Sequence, residues 1–342
     1  MELPSSSWNS VGLPSLGNRS SEVFVITFLL CISVAAIAIG MFPLQASIAT
    51  IFLFAGLHNW LEFRYFVGRM PLRWGRSTPF YTTAIVGVIS LAVLYWIAYA
   101  GSGTWLWGSV EWGLFASIWN TLLVAWLLLL YSLRKRNARV NHSWLLLLSI
   151  ALFIASFAWL APLYCSLALV FIHPIIAMWF LERQIRRTKK EWLRAYHVCL
   201  AAVPLFVVGL AICLSNQPHL PDDNELFGRI SQHAGSQLLP MISSHLLVAV
   251  HVFLETIHYF VWLLLIPLVD RRSIPWKLSV IPAFSHSHGW PKLVLGIFAV
   301  GAIVAFVLWV GFVMDYSMTR DIYFAVAILH VLAEFPFLIK ML

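Results

Sequence analysis

The sequence predicts an all-α integral membrane protein, a polytopic bundle of about ten transmembrane helices with both termini in the cytoplasm. Three observations predict it. Of 342 residues, 61% are apolar and only 11% charged, with a mean hydropathy of +0.85. Apolar runs of about 20 residues, enough to cross a ~30 Å hydrocarbon core, recur from end to end. Basic residues gather in every second loop.

The first 22 residues are rich in Ser, Pro, Gly and Asn and read as a flexible tail. They lack the basic start of a cleavable signal peptide. Asn18, Arg19 and Ser20 match a glycosylation acceptor, but the expected topology puts them in the cytoplasm, where the site goes unused. Residues 23–342 are expected to form one transmembrane helical domain. Its spans are expected at 23–42, 45–66, 80–100, 110–133, 143–162, 164–182, 196–214, 238–268, 291–313 and 320–340.

Loop charge sets the orientation. Arg64, Arg69, Arg73 and Arg76 stand at the second connection, and Arg134, Lys135, Arg136 and Arg139 at the fourth. Arg183, Arg186, Arg187, Lys189, Lys190 and Arg194 crowd the sixth, against Glu182 and Glu191. Arg271, Arg272, Lys277 and Lys292 occupy the eighth, against Asp270. The link 101–109 carries no Lys or Arg, and 215–237 carries Asp222, Asp223 and Glu225 against Arg229. The positive-inside rule then faces the basic loops to the cytoplasm. The formal charge of +8 is accounted for by these loops, so no nucleic-acid partner is implied. Cys31, Cys165, Cys199 and Cys213 all lie in apolar runs without CxxC spacing. They read as buried small apolar residues, not as disulfides or zinc ligands.

Orientation gives the polar residues a depth. His58, Glu62, His173, His251, Glu255, His258, His330 and Glu334 fall in the middle or cytoplasmic half of their spans. His197 opens the seventh span at the inner face, and His286 and His288 lie on an inner loop; their roles stay open. Of twelve histidines, only His219, His233 and His245 fall on the outer side. His58/Glu62, His251/Glu255 and His330/Glu334 are each His-x-x-x-Glu, which puts both side chains on one helix face. Glu255 and His258 add Glu-x-x-His, a ligand spacing of di-iron bundles; those bundles use two such motifs, and this chain has one.

A charged carboxylate at mid-membrane costs roughly 2.5–3.5 kcal/mol, so this layer needs a compensating centre. A divalent metal is one, with His58, Glu62, His173, His251, Glu255, His258, His330 and Glu334 as candidate ligands. Glu255, between two histidines, is the residue most expected to bind or bridge it. Imidazole and carboxylate without thiolate suit non-haem iron, manganese or zinc. The excess of ligands over the four of a zinc site favours iron, as one or two ions. Bis-histidine haem or a pigment is an alternative, but it leaves the glutamates without a role. His173, just before Pro174, also reads as a structural hydrogen-bonder.

The function expected is a membrane-bound metal oxidoreductase or oxygenase, in a bacterial inner membrane or an equivalent organelle membrane. Its partners are the lipid bilayer, a hydrophobic small molecule such as a fatty acyl chain, isoprenoid or carotenoid, and an external electron donor. Arg64 and Arg69 could hold an anionic head group, although topology alone accounts for them. The alternative function is a proton- or ion-coupled transporter. The outer half reads as poor in ionisable residues, with no polar path across. The overall plan resembles that of polytopic, histidine-bearing membrane oxygenases, including the integral-membrane carotene-cleaving dioxygenases. The likeness rests on architecture and scattered intramembrane histidines, and carries no residue role. Membrane desaturases and hydroxylases match less well, because their HxxxH and HxxHH boxes are absent.

Overall fold

The computed structural model describes residues 16–71, 74–101, 109–135, 143–270, 278–285 and 290–341, and they contain helices and no strand. In chain order these are α1 (Leu16–Met41), α2 (Pro43–Arg69), α3 (Thr78–Gly101), α4 (Ser109–Lys135), α5 (Ser143–Leu160), α6 (Pro162–Thr188) and α7 (Leu193–Leu214). They continue with the short α8 (Glu225–His233), then α9 (Ser244–Phe260), α10 (Ile266–Val269), α11 (Pro282–Ser285), α12 (Pro291–Met314) and α13 (Tyr316–Met341). A π-helical turn, Val261–Leu265, joins α9 to α10, making one span, Ser244–Val269.

Among the described residues nine helices are long and apolar enough to cross a membrane. The tenth expected span is α5, which is shorter: 18 residues, at a rise of ~1.5 Å each, reach just under a ~30 Å core. Helix boundaries differ from expectation at two further places. Helix α1 already includes Leu16, inside the expected tail. The span expected from 238 starts at Ser244. Pro240 has no N–H to offer a helix, and the two serines at the start of α9 are used elsewhere. Ser244 Oγ accepts from Leu220 N at 2.8 Å, and Ser243 Oγ donates to Pro218 O at 3.3 Å.

The segment between α7 and α9 was expected to be a plain loop. It contains α8, capped by Asn224, whose side chain accepts from Leu226 N at 2.9 Å. Its apolar side buries Ile230. Beyond it the chain turns at Gly235, with φ +95°, and a Cβ there would stand 2.7 Å from the Leu167 side chain. The positive φ favours glycine, and α8 packs against α9.

Helix α9 is the hub. It packs on α1, α2, α6, α7 and α8, and the Ser244–Val269 span is mostly buried, whereas α12 is mostly not. One core joins α1, α6, α7 and α9 around Phe28, Phe180, Tyr196 and Phe253. A second joins α3, α4 and α13 around Trp119, Trp126 and Leu332. Indoles tie helices through backbone carbonyls: Trp119 Nε1 donates to Leu91 O and Trp126 Nε1 to Thr83 O, both at 3.0 Å.

The last turns of α2, α6 and α10 meet in a polar clamp. Arg69 donates to Gln184 Oε1 at 2.6 Å and to Asp270 Oδ2 at 2.9 Å, with its guanidinium 3.3 Å over the Tyr65 ring. Phe66 of α2 stacks on Phe337 of α13 at 4.3 Å. Four helices thus end together, so α2, α6, α9–α10 and α13 run in the same direction. That common direction lets residues at like distances from the helix starts meet.

Gly87 faces Trp126 so closely that a Cβ would fall 1.9 Å from the indole nitrogen. Gly87→Ala should displace the indole, break its bond to Thr83, and cost about 1–3 kcal/mol. Thermal unfolding in detergent should show a lowered midpoint, with partial recovery when Trp126→Phe is added.

Candidate metal centre

Six of the eight residues expected at the site converge. His58 and Glu62 come from α2, His173 from α6, His258 from α9, and His330 and Glu334 from α13. Two overlapping groups have ligand atoms all within 4.8 Å of one another: His58, Glu62, His258 and His330, and His173, His258 and Glu334. His258 belongs to both. The i,i+4 spacing within α2 and α13 delivers each His/Glu pair to one face, and each lies a little past mid-span.

Three chain irregularities surround the centre. Pro174 sits within α6, directly after His173, and removes the N–H that would bond to Val170 O. The π-turn follows His258 by three residues, and Pro267 closes it. Pro336 stands two residues after Glu334 inside α13. Such breaks free a helix turn to re-aim its side chains, at backbone cost.

His58 Nδ1 lies 3.0 Å from Phe54 O. Since a carbonyl only accepts, Nδ1 carries the proton and Nε2 keeps its lone pair. His173 lies between two partners. Its Nε2 is 3.3 Å from His330 Nε2, and its Nδ1 is 3.0 Å from Glu334 Oε2. The second contact is close without the alignment of a hydrogen bond. Glu62 Oε2 is 4.0 Å from His258 Nε2. The imidazole rings crowd together, His173 and His258 at 4.5 Å and His58 and His258 at 5.3 Å between centroids.

The donor set fits a divalent metal on two observations. Both oxygens of Glu62 and of Glu334, and both ring nitrogens of His258, are buried without a hydrogen-bond partner. Buried polar atoms are rarely left so, and an ion would satisfy several at once. Two ligands each about 2.1 Å from one ion stand about 3.0–3.6 Å apart at angles near 90–120°. The separation of His173 Nδ1 and Glu334 Oε2, both in the second group, is 3.0 Å and falls in that range. No cysteine is among the ligands, and the six donors exceed the four of a closed zinc site.

His251 and Glu255 lie apart from this cluster. Glu255 Oε1 accepts from Tyr259 Oη at 2.6 Å. His251 faces His233 of α8, with ring centroids 5.1 Å apart. Tyr259 in turn lies against His58 at 4.3 Å between rings, so Glu255 touches the centre only through Tyr259. His197 is at the protein exterior, with its Nε2 3.5 Å from Glu182 Oε1. His286, His288 and residues 1–15 of the expected tail fall outside the described residues. Arg69 is engaged in the polar clamp, not open to a head group.

A cavity of about 500 Å³ opens from the four clustered histidines toward α8. Its walls at that end include Arg229, His233, His251, Glu255, Arg320 and Asp321. The end of the bundle toward α8, expected to be poor in ionisable residues, therefore carries several. Two of the missed residues sit at the margins of the sequence pattern. Arg320 opens the last span and is only 4% exposed. His233 ends α8, where burial, then His251 and Arg320, hold its imidazole well below its ordinary value. The signal for α8 was present as Asn224 followed by Leu226, Phe227 and Ile230, a cap before an apolar helical face. Arg229 pairs with Glu225 and with Asp321 of α13.

Comparison of the chain with protein-family models, with curated proteins and with solved structures finds no match in any of the three.

If both groups hold metal, His258→Ala should lower bound metal at least about tenfold, because it removes a ligand common to both. Glu255→Gln should leave metal content close to wild type. Elemental analysis of folded, detergent-purified variants, normalised to protein, checks both.

Proposed function

We propose that this chain is an integral-membrane metal-dependent oxidoreductase, with a non-haem His/Glu centre in the cytoplasmic half of the bilayer. The metal proposed is iron, as one or two ions, and the substrate a lipid-soluble molecule. One observation carries the proposal: six imidazole and carboxylate side chains from four helices share one buried volume, and most of their ligand atoms lack any other partner.

Bound there, iron would supply the redox chemistry that none of these side chains has alone. The chain's own residues do the rest. His58 is fixed in one tautomer by Phe54 and offers Nε2 to the centre. Glu62 and Glu334 bring negative charge to offset that of a cation. Phe54 and Tyr259 wall one side. Below the centre Trp262 packs against Tyr65, Phe66 and Phe180, which excludes water from that direction. Leu169, Ile328 and Phe324 give the cavity apolar walls beside its polar ones.

A second function has one observation in its favour. The polar lining between the centre and α8 is what a proton or ion pathway needs. The aromatic layer around Trp262 closes the other side, so such a pathway would require that layer to move.

Elemental analysis and an optical spectrum of the purified protein separate these functions. Iron without a Soret band is expected; a Soret band means haem, and the absence of both metal and Soret band favours ion or proton conduction. Orientation is tested by single cysteines in a background lacking Cys31, Cys165, Cys199 and Cys213. Positions in 183–194 should resist impermeant reagents in intact cells, whereas positions in 215–223 should react. Labelling of 183–194 from outside would reverse the proposed orientation and the depth of the centre.

A further inference from the structure

The geometry points to a second recognition site in the same cavity, at Glu255, for the hydroxyl group of an amphipathic lipid-soluble molecule. It deepens the proposal above, since its ligand would be the substrate of the metal centre. Glu255 lines the cavity. One of its oxygens is engaged by Tyr259 Oη at 2.6 Å. The other, Oε2, is buried and has no hydrogen-bond partner. A buried acceptor of this kind requires a donor, and the cavity is where a donor can come from.

The surroundings select the donor. Arg320 lines the same cavity and sets positive charge near the Glu255 carboxylate. A second cation is therefore disfavoured at Oε2, and a neutral O–H is favoured. Leu169 and Ile328 supply apolar wall across the cavity, on α6 and α13. The ligand these features describe has one hydroxyl and an apolar body. Glu255 lies one helical turn from His258, toward α8, so the hydroxyl is held about one turn, ~5 Å, from the centre. The apolar body then extends past the four histidines. Site-to-centre distance would decide which carbon of the ligand faces them.

The test uses the full chain in phosphatidylcholine nanodiscs and two photoreactive probes. One is a long-chain primary alcohol with a mid-chain diazirine; the other is its methyl ether, which cannot donate. After illumination, mass spectrometry locates the labelled peptides. The alcohol should label cavity peptides of α6 and α13 about tenfold more than the ether does, the difference that one hydrogen bond to a charged acceptor makes. Glu255→Leu should abolish that preference, and Glu255→Gln should reduce it. Ile328→Trp, which fills the cavity, should remove cavity labelling by both probes and shows that the label reports this space. Size-exclusion profiles confirm that each variant is folded. Equal labelling of the cavity by alcohol and ether, or labelling confined to the lipid-facing residues of α12, would overturn the inference. Labelling needs no metal, and metal content is measured on the same samples. Loss of the alcohol preference with metal present defeats this site alone, and absence of metal with the preference intact defeats the metal centre alone.

Discussion

The electrostatic cost of Glu62 and Glu334 governs the rest of this molecule. Both carboxylates are essentially fully buried, 1% and 0% exposed, and neither oxygen of either has a hydrogen-bond donor. A carboxylate in that setting needs a proton or a cation. Four imidazoles converge on the same volume, and neutral imidazoles donate lone pairs to a cation. The helical bundle is arranged to permit that convergence. Four spans must run in one direction and stay in register, or the two His/Glu pairs slide past their partners by a turn. The Arg69 clamp ties three of those spans at one end, and the stacking of Phe66 on Phe337 ties the fourth.

Three of the helices that bear the cluster are irregular beside it. In hydrocarbon an unsatisfied carbonyl is costly, so a proline or a π-turn in a span is tolerated where neighbouring protein covers it. Pro174 and Pro336 and the Val261–Leu265 turn all lie within a turn of a clustered residue. Helix α12, which contributes nothing to the cluster and faces outward over most of its length, has no proline after its first turn. Breaks at the cluster are thus frequent but not confined to it, since α7 carries Pro204 within its span and lends the cluster no residue. They give each bearing helix a local freedom that a straight rod at fixed spacing would lack.

Much of this was legible in the sequence, and what was missed has physical causes. Spans announce themselves through hydropathy because a hydrocarbon core asks for apolar side chains along a helix's whole crossing length. The pairs His58/Glu62 and His330/Glu334 were legible for a related reason: an i,i+4 spacing fixes a shared face whatever the fold. His251/Glu255 has the identical spacing and yet stands apart, one to two turns along α9 from His258. Spacing gives the face and not the height, and height is set by how helices pack. Helix α8 was hidden because nine residues of mixed polarity look like a loop until the cap at Asn224 and the turn at Gly235 are weighed together. With α8 went His233 and the polar end of the cavity. Arg320 was read as a span boundary, although its side chain is buried beside Phe324.

The two ends of the centre's surroundings are unlike, and the difference bears on chemistry. Toward the clamp, Trp262 meets Tyr65, Phe66 and Phe180 at 5.1–5.8 Å, and Phe66 meets Phe337 at 4.3 Å. Rings at those separations are in packing contact and leave no width for a chain of water. Toward α8 the path is lined by side chains that carry or share protons. A conductor that alternates access needs comparable passages on both sides of its site. A centre that works on a captured molecule needs one entrance, a closed floor, and an apolar wall for the body of that molecule. On the proposed reading, the aromatic layer under His258 and the apolar walls at Leu169 and Ile328 match the second set without any rearrangement of the bundle. The first set is met only if the Trp262 layer opens, and that layer is among the most completely buried parts of the protein, with Trp262 at 1% and Phe180 at 0% exposure.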